Sequence, residues 1–146
     1  MIDPIKSFSD MLRKTLGEHL NPDAETFIQM FAENGVMEFP FALPNVVQRV
    51  EGREALSARI SFLSGLIEFN SVSEVVKHET SNPEVFIVEF SGSGKGLATG
   101  EPFEQRYISV IRVRNGQIVH YKDYWNPVAF LRAMRGSKFV ESLAPQ

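Results

Sequence analysis

An aspartate among aromatic residues is the side chain in this sequence best placed to do chemistry. Asp123 lies in the run IVHYKDYW (118–125), two residues after Tyr121 and two before Trp125. In an extended strand alternate residues share a face, so Val119, Tyr121, Asp123 and Trp125 point one way. Ile118, His120, Lys122 and Tyr124 point the other. A carboxylate on an apolar face is costly to ionise without a partner. Desolvation raises its pKa toward neutrality, which suits a general acid/base. The position also fits an aspartate that caps a turn or pairs with an arginine at a sheet edge, and spacing alone leaves both readings open. Ser109 and Tyr121 carry hydroxyls that could bond a carbonyl or an enolate from the same face. A buried hydroxyl needs a partner in any case.

The face of Asp123 depends on a hairpin. Asn115-Gly116 marks its turn. A two-residue loop would pair Arg114 with Gln117 and put Asp123 on the face of Arg106 and Arg112. A three-residue loop, with Gly116 left-handed in a bulge, would pair Val113 with Gln117. The less polar sets then coincide, and we expect this register because a one-residue slip mixes buried and solvated faces. It leaves Ile108, Val110, Ile118 and Tyr124 interleaved with Arg106, Arg112, His120 and Lys122 on the opposite face. Such a mixture suits a protein interface.

Other chemistries find less support. Zero cysteines exclude disulfides, thiol catalysis and iron–sulfur clusters. The three histidines and the carboxylates show no paired ligand spacing, so neither metal nor cofactor is expected. The serines lack a His/Asp arrangement of the hydrolase type. Gly92 to Gly100 opens no helix and reads as a bulged strand leading to a turn, not as a phosphate cradle. Glu38 should face solvent, opposite Met37 and Phe39. His78 should lie at the surface, and Asn126 reads as the N-cap of a last helix, within reach of a pocket beside Trp125.

The elements that must hold these residues can be read in outline. Asp3-Pro4 starts a helix carrying Ile5, Phe8, Leu12 and Leu16. Asn21-Pro22 starts a second, with Ala24, Phe27, Ile28 and Phe31, stopped at Asn34-Gly35. A third follows Gly52, and a fourth spans Asn126 to Gly136. Strands are expected at 36–41, 46–50, 71–80, 84–92, 103–114 and 117–125. The 146 residues carry a net charge of −3. That balance speaks against nucleic acid as a partner. No run approaches the ~20 apolar residues of a membrane span, and no signal peptide is apparent. A single cytoplasmic domain (1–146) is expected. Twelve of its aromatic residues are Phe, a large apolar surface for a small core.

The run GQIVHYKDYWNP (116–127) resembles the closing strand of SnoaL-like polyketide cyclase proteins, in the nuclear-transport-factor-two-like superfamily. FAENGVMEFPF (31–41), EGREALSARISFL (51–63) and TGEPFEQRYISVIRVRNG (99–116) agree in order and spacing. The resemblance implies an α+β cone: a curved antiparallel sheet wrapped around N-terminal helices, with an apolar pocket in its concave face. Phe27, Phe31, Phe39, Phe62, Phe86, Phe90, Tyr107, Ser109, Trp125 and Asn126 become candidates for binding there. Asp123 matches the cyclases' late-strand aspartate, and Tyr121 is its expected catalytic companion. Related ketosteroid isomerases use three other residues, and this chain has Phe39, Ser109 and no first-helix tyrosine where they would stand. The resemblance further implies a homodimer through the outer sheet face. The expected activity is cofactor-independent cyclisation or isomerisation of a hydrophobic carbonyl compound. A non-catalytic protein holding such a molecule is the alternative.

Overall fold

The computed structural model describes residues 3–145, apart from the side chains of Pro4 and Ile5, so the expected role of Ile5 lies outside the described residues. Asp3 Oδ1 accepts the backbone N–H of Lys6 at 3.2 Å and caps α1 (Pro4–Leu16). Leu12 and Leu16 are wholly buried, and Phe8 packs on the same core.

The second helix is much shorter than its apolar spacing implies. α2 (Phe27–Met30) is one turn, started by a capping box between Thr26 and Gln29. Phe31, Gly35 and Met37 then belong to β1 (Phe31–Glu38), which runs beside the last strand. A single helical turn is unstable alone, and burial of Phe31 and Met37 in a sheet outweighs it. β2 (Arg49–Glu51) and α3 (Arg53–Ser64) follow. The strand expected at 71–80 is two strands, β3 (Ile67–Val72) and β4 (Val76–Glu79). β5 (Val85–Gly96), β6 (Pro102–Arg114) and β7 (Gln117–Trp125) form the long centre of the sheet. Asn126 Oδ1 accepts the Val128 N–H at 2.9 Å and caps α4 (Pro127–Arg135). A short α5 (Ser137–Ser142), not foreseen in the sequence, ends the fold.

The sheet is curved and open, in the order β2-β1-β7-β6-β5-β3, with β4 also on β5. It is mixed rather than wholly antiparallel, because β1 runs parallel to β7. The glycines of β5 are part of the sheet. A Cβ on Gly94 would lie 1.9 Å from the Glu68 carbonyl oxygen, so only glycine lets β3 approach there.

The decisive hairpin uses a different device from the expected one. Arg114 pairs with Gln117, so the loop has two residues. Asn115 (φ 52°) and Gly116 (φ 77°) are both left-handed, as a type I′ turn requires. Val113 pairs with Ile118 but Arg112 pairs with His120, so Val119 is an extra residue in β7. This bulge restores the parity that a two-residue loop would have broken. Asp123 therefore sits opposite Ser109, on the face we expected, while Ile118 moves from the outer face into the core at 0% exposure.

Candidate functional site

Three successive pairs of β6 and β7 build the inner face: Ile111 with Tyr121, Ser109 with Asp123, and Tyr107 with Trp125. A cavity of about 140 Å³ lies over them. Phe8 of α1 closes one side, Ile60, Leu63 and Ser64 of α3 another, and Phe130 of α4 a third. Phe8 contacts Phe69, Phe90 and Tyr107 edge-on, with ring centres 5.7–6.0 Å apart. Such packing fixes the rings in place.

Asp123 is the one carboxyl on this wall among the described residues, and no Lys, Arg or His lines it. Burial pushes its pKa from the usual 3.8 up to about 7, while the Ser109 hydroxyl pulls it slightly back. The carboxyl is thus poised between its two forms near neutral pH. The Tyr121 and Tyr107 phenols are raised, first by burial and then by the Asp123 charge, and stay protonated as donors. Ser109 is wholly buried behind the wall, between Tyr121 and Asp123. Its Oγ makes no hydrogen bond of ordinary geometry. Its hydroxyl nonetheless lowers the pKa of both neighbours. Gln105, also on the wall, makes three side-chain hydrogen bonds. Its Nε2 donates to the Asn126 carbonyl at 2.9 Å, and its Oε1 accepts the N–H of Asn126 at 2.7 Å and of Arg106 at 3.0 Å. These bonds tie the end of β7 to β6 and set the start of α4.

Phe27, Phe39, Phe90, Tyr107, Tyr121, Asp123 and Trp125 meet at the cavity. Five other candidates do not line it. Phe31 is buried one layer behind, its ring 5.1 Å from Phe27. Phe62 is 57% exposed, because it points off the outer side of α3, where the Arg59 guanidinium lies over its ring at 5.3 Å. Phe86 packs against His19 at 4.6 Å in another part of the core. Ser109 lies beneath the wall, and the Asn126 side chain is spent on its helix cap. Phe8, Phe69, Phe103 and Phe130 take the vacated places. The helical spacing of Phe8 with Leu12 and Leu16 showed it to be apolar-facing, and Phe130 falls within the expected fourth helix. Nothing local showed that their faces meet across a cavity.

Glu38 and His78 lie away from the cavity. Glu38 Oε1 meets His120 Nε2 at 3.1 Å and Arg49 Nη1 at 3.2 Å, and the His120 bond holds its pKa low. His78 Nε2 lies 2.6 Å from Glu89 Oε2 on exposed strands. Among the described residues no three His, Cys, Asp or Glu side chains are grouped to hold a metal. Nor is any helix among them long and apolar enough to cross a membrane.

Comparison with known proteins gives a consistent result. The model of the SnoaL-like domain matches residues 13–121. The uncharacterised protein YesE of Bacillus subtilis is 33% identical over 137 residues, covering 94% of this chain and 93% of YesE. An uncharacterised PhzA/B-like protein of Pseudomonas aeruginosa is 39% identical over 116 residues, or 80% of this chain and 82% of its own. A solved Bacillus subtilis structure with a provisional isomerase name superposes with a TM-score of 0.74 at 35% identity, covering 88% of this chain and 92% of that one.

Proposed function

The chain belongs to the SnoaL-like domain family, and from that premise we propose that it binds a hydrophobic carbonyl compound and moves a proton α to the carbonyl. The observation that carries this reading is Asp123, a carboxyl without a cation on an aromatic wall, with its pKa at about 7. Ionised, it takes the α-proton as general base. Protonated, it returns the proton to another carbon or to oxygen, giving isomerisation or ring closure without a cofactor. The Tyr107 and Tyr121 phenols face the same space and donate to the developing enolate. The aromatic walls keep water from quenching it. The provisional isomerase name of one relative is in keeping with this chemistry.

The outer face of the sheet supports a second part of the proposal, a homodimer. Ile108 (46% exposed) and Val76 (54%) lie there beside the His120–Glu38–Arg49 and His78–Glu89 pairs. Both signs of charge on one apolar-studded face make it complementary to a second copy turned through a two-fold axis.

Exchange of the α-protons of phenylacetone with deuterated water, followed by NMR, tests the chemistry. The protein should accelerate exchange, and Asp123→Asn should cut the rate by on the order of 10²-fold or more while still binding the ketone. The kcat/KM should rise about tenfold per pH unit below pH 7 and level off above it, the sign expected of a base. Binding without exchange by the wild type would leave the non-catalytic reading in its place.

A further inference from the structure

The cavity limits the size and charge of its ligand as well as its polarity. About 140 Å³ is close to the roughly 150 Å³ of a buried protein cavity that holds one benzene ring. Its wall offers no cation among the described residues, so an anionic ligand would meet the Asp123 carboxylate with nothing to offset the repulsion. A neutral ligand would leave the ionised carboxylate buried and unpaired. A ligand that brings a positive charge supplies the missing partner, and aromatic rings such as Tyr107, Trp125, Phe90 and Phe103 are favourable neighbours for an organic cation.

We propose that this cavity selects a one-ring compound bearing a basic nitrogen, bound as its ammonium ion against the Asp123 carboxylate, and rejects carboxylic acids of the same size. This rests on the reading of the Asp123 cavity as the substrate site, and it narrows the substrate to a small carbonyl compound that carries such a nitrogen. The titratable groups facing Asp123 are Tyr121 on its own strand and Tyr107 on β6. Both keep their protons, and the lining residues of α1, α3 and α4 are uncharged. Asp123 therefore sets the pH dependence of binding.

Calorimetric titration with benzylamine, benzyl alcohol and benzoate, at pH 5.5 and pH 8, tests this. Benzylamine should bind at least about tenfold more tightly at pH 8 than at pH 5.5, because Asp123 ionises between them. Benzyl alcohol should show no such change, and benzoate should not bind. Asp123→Asn should reduce benzylamine to the affinity of benzyl alcohol, whose own binding and an unchanged melting profile at low pH report an intact cavity. Equal affinity for amine and alcohol at pH 8, or a preference for benzoate, overturns the amine inference and leaves the cavity as a ligand site. Failure of all three probes and of phenylacetone to bind overturns both.

Discussion

At the scale of the residue, Asp123 makes the protein's stability depend on pH in an unusual sense. Its folded pKa, about 7, lies above its unfolded value near 3.8. Between these values the native state holds a proton that the unfolded chain has lost, so stability falls as pH rises through this window. Well below pH 3.8 both states are protonated and the cost vanishes, and at pH 4 little of it remains. Asp123→Asn should therefore leave stability nearly unchanged at pH 4. At pH 8 it should raise stability by on the order of 2–4 kcal/mol, as read from urea melts. Equal effects at both pH values would show that the carboxyl is not desolvated. Ser109 acts on the same group. Its hydroxyl lowers the Asp123 pKa, so Ser109→Ala should shift the Asp123 carbon resonance titration to higher pH. A fall in the midpoint would contradict that role. The type and neighbours of Asp123 were readable from DYW and its alternation. The influence of Ser109 was not, because it depends on the pairing of two strands.

At the scale of the element, one extra residue decides the site. The Asn115-Gly116 turn favours a two-residue loop, which alone would turn Asp123 toward Arg106 and Arg112. The bulge at Val119 reverses this. The apolar pattern revealed the right face without revealing the device, because a bulge and a longer loop change parity alike. Sequence periodicity also misled at Phe27–Phe31, where helical spacing extends into a strand. At Gly94 the close approach of β3 allows no side chain. Gly94→Ala should lower stability by about 2–3 kcal/mol or more, since the obstacle is the Glu68 backbone. Gly17→Ala meets nothing within 4 Å and serves as the comparison, with little loss expected in thermal melts.

At the scale of the whole molecule, the sheet has two faces of different composition. The inner face gathers aromatic rings from α1, α3, α4 and the sheet around one acid. The outer face carries Ile108, Val76 and paired charges. If that face joins two copies, sedimentation of the wild type should give a dimer. Ile108→Glu, which replaces an exposed apolar side chain of that face with a charge, should shift it to a monomer with unchanged circular dichroism. A monomeric wild type at high micromolar concentration would remove the dimer reading.

The resemblance to SnoaL-like proteins implied the class of fold; residue types and spacing by themselves determined the helix caps at Asp3 and Asn126, the Asn115-Gly116 turn and the apolar company of Asp123. These are local properties, fixed by residue type and by spacing along one strand or helix. Tertiary structure decided which further rings surround the acid. Phe8, Phe103 and Phe130 stand far apart in the chain and meet only because the curved sheet folds α1 and α4 over its concave face. Phe31, Phe62 and Phe86 have the same side chain and face elsewhere. An apolar side chain seeks burial without regard to direction, so composition announced a large aromatic surface. The packing of whole elements chose which part of it became a cavity wall.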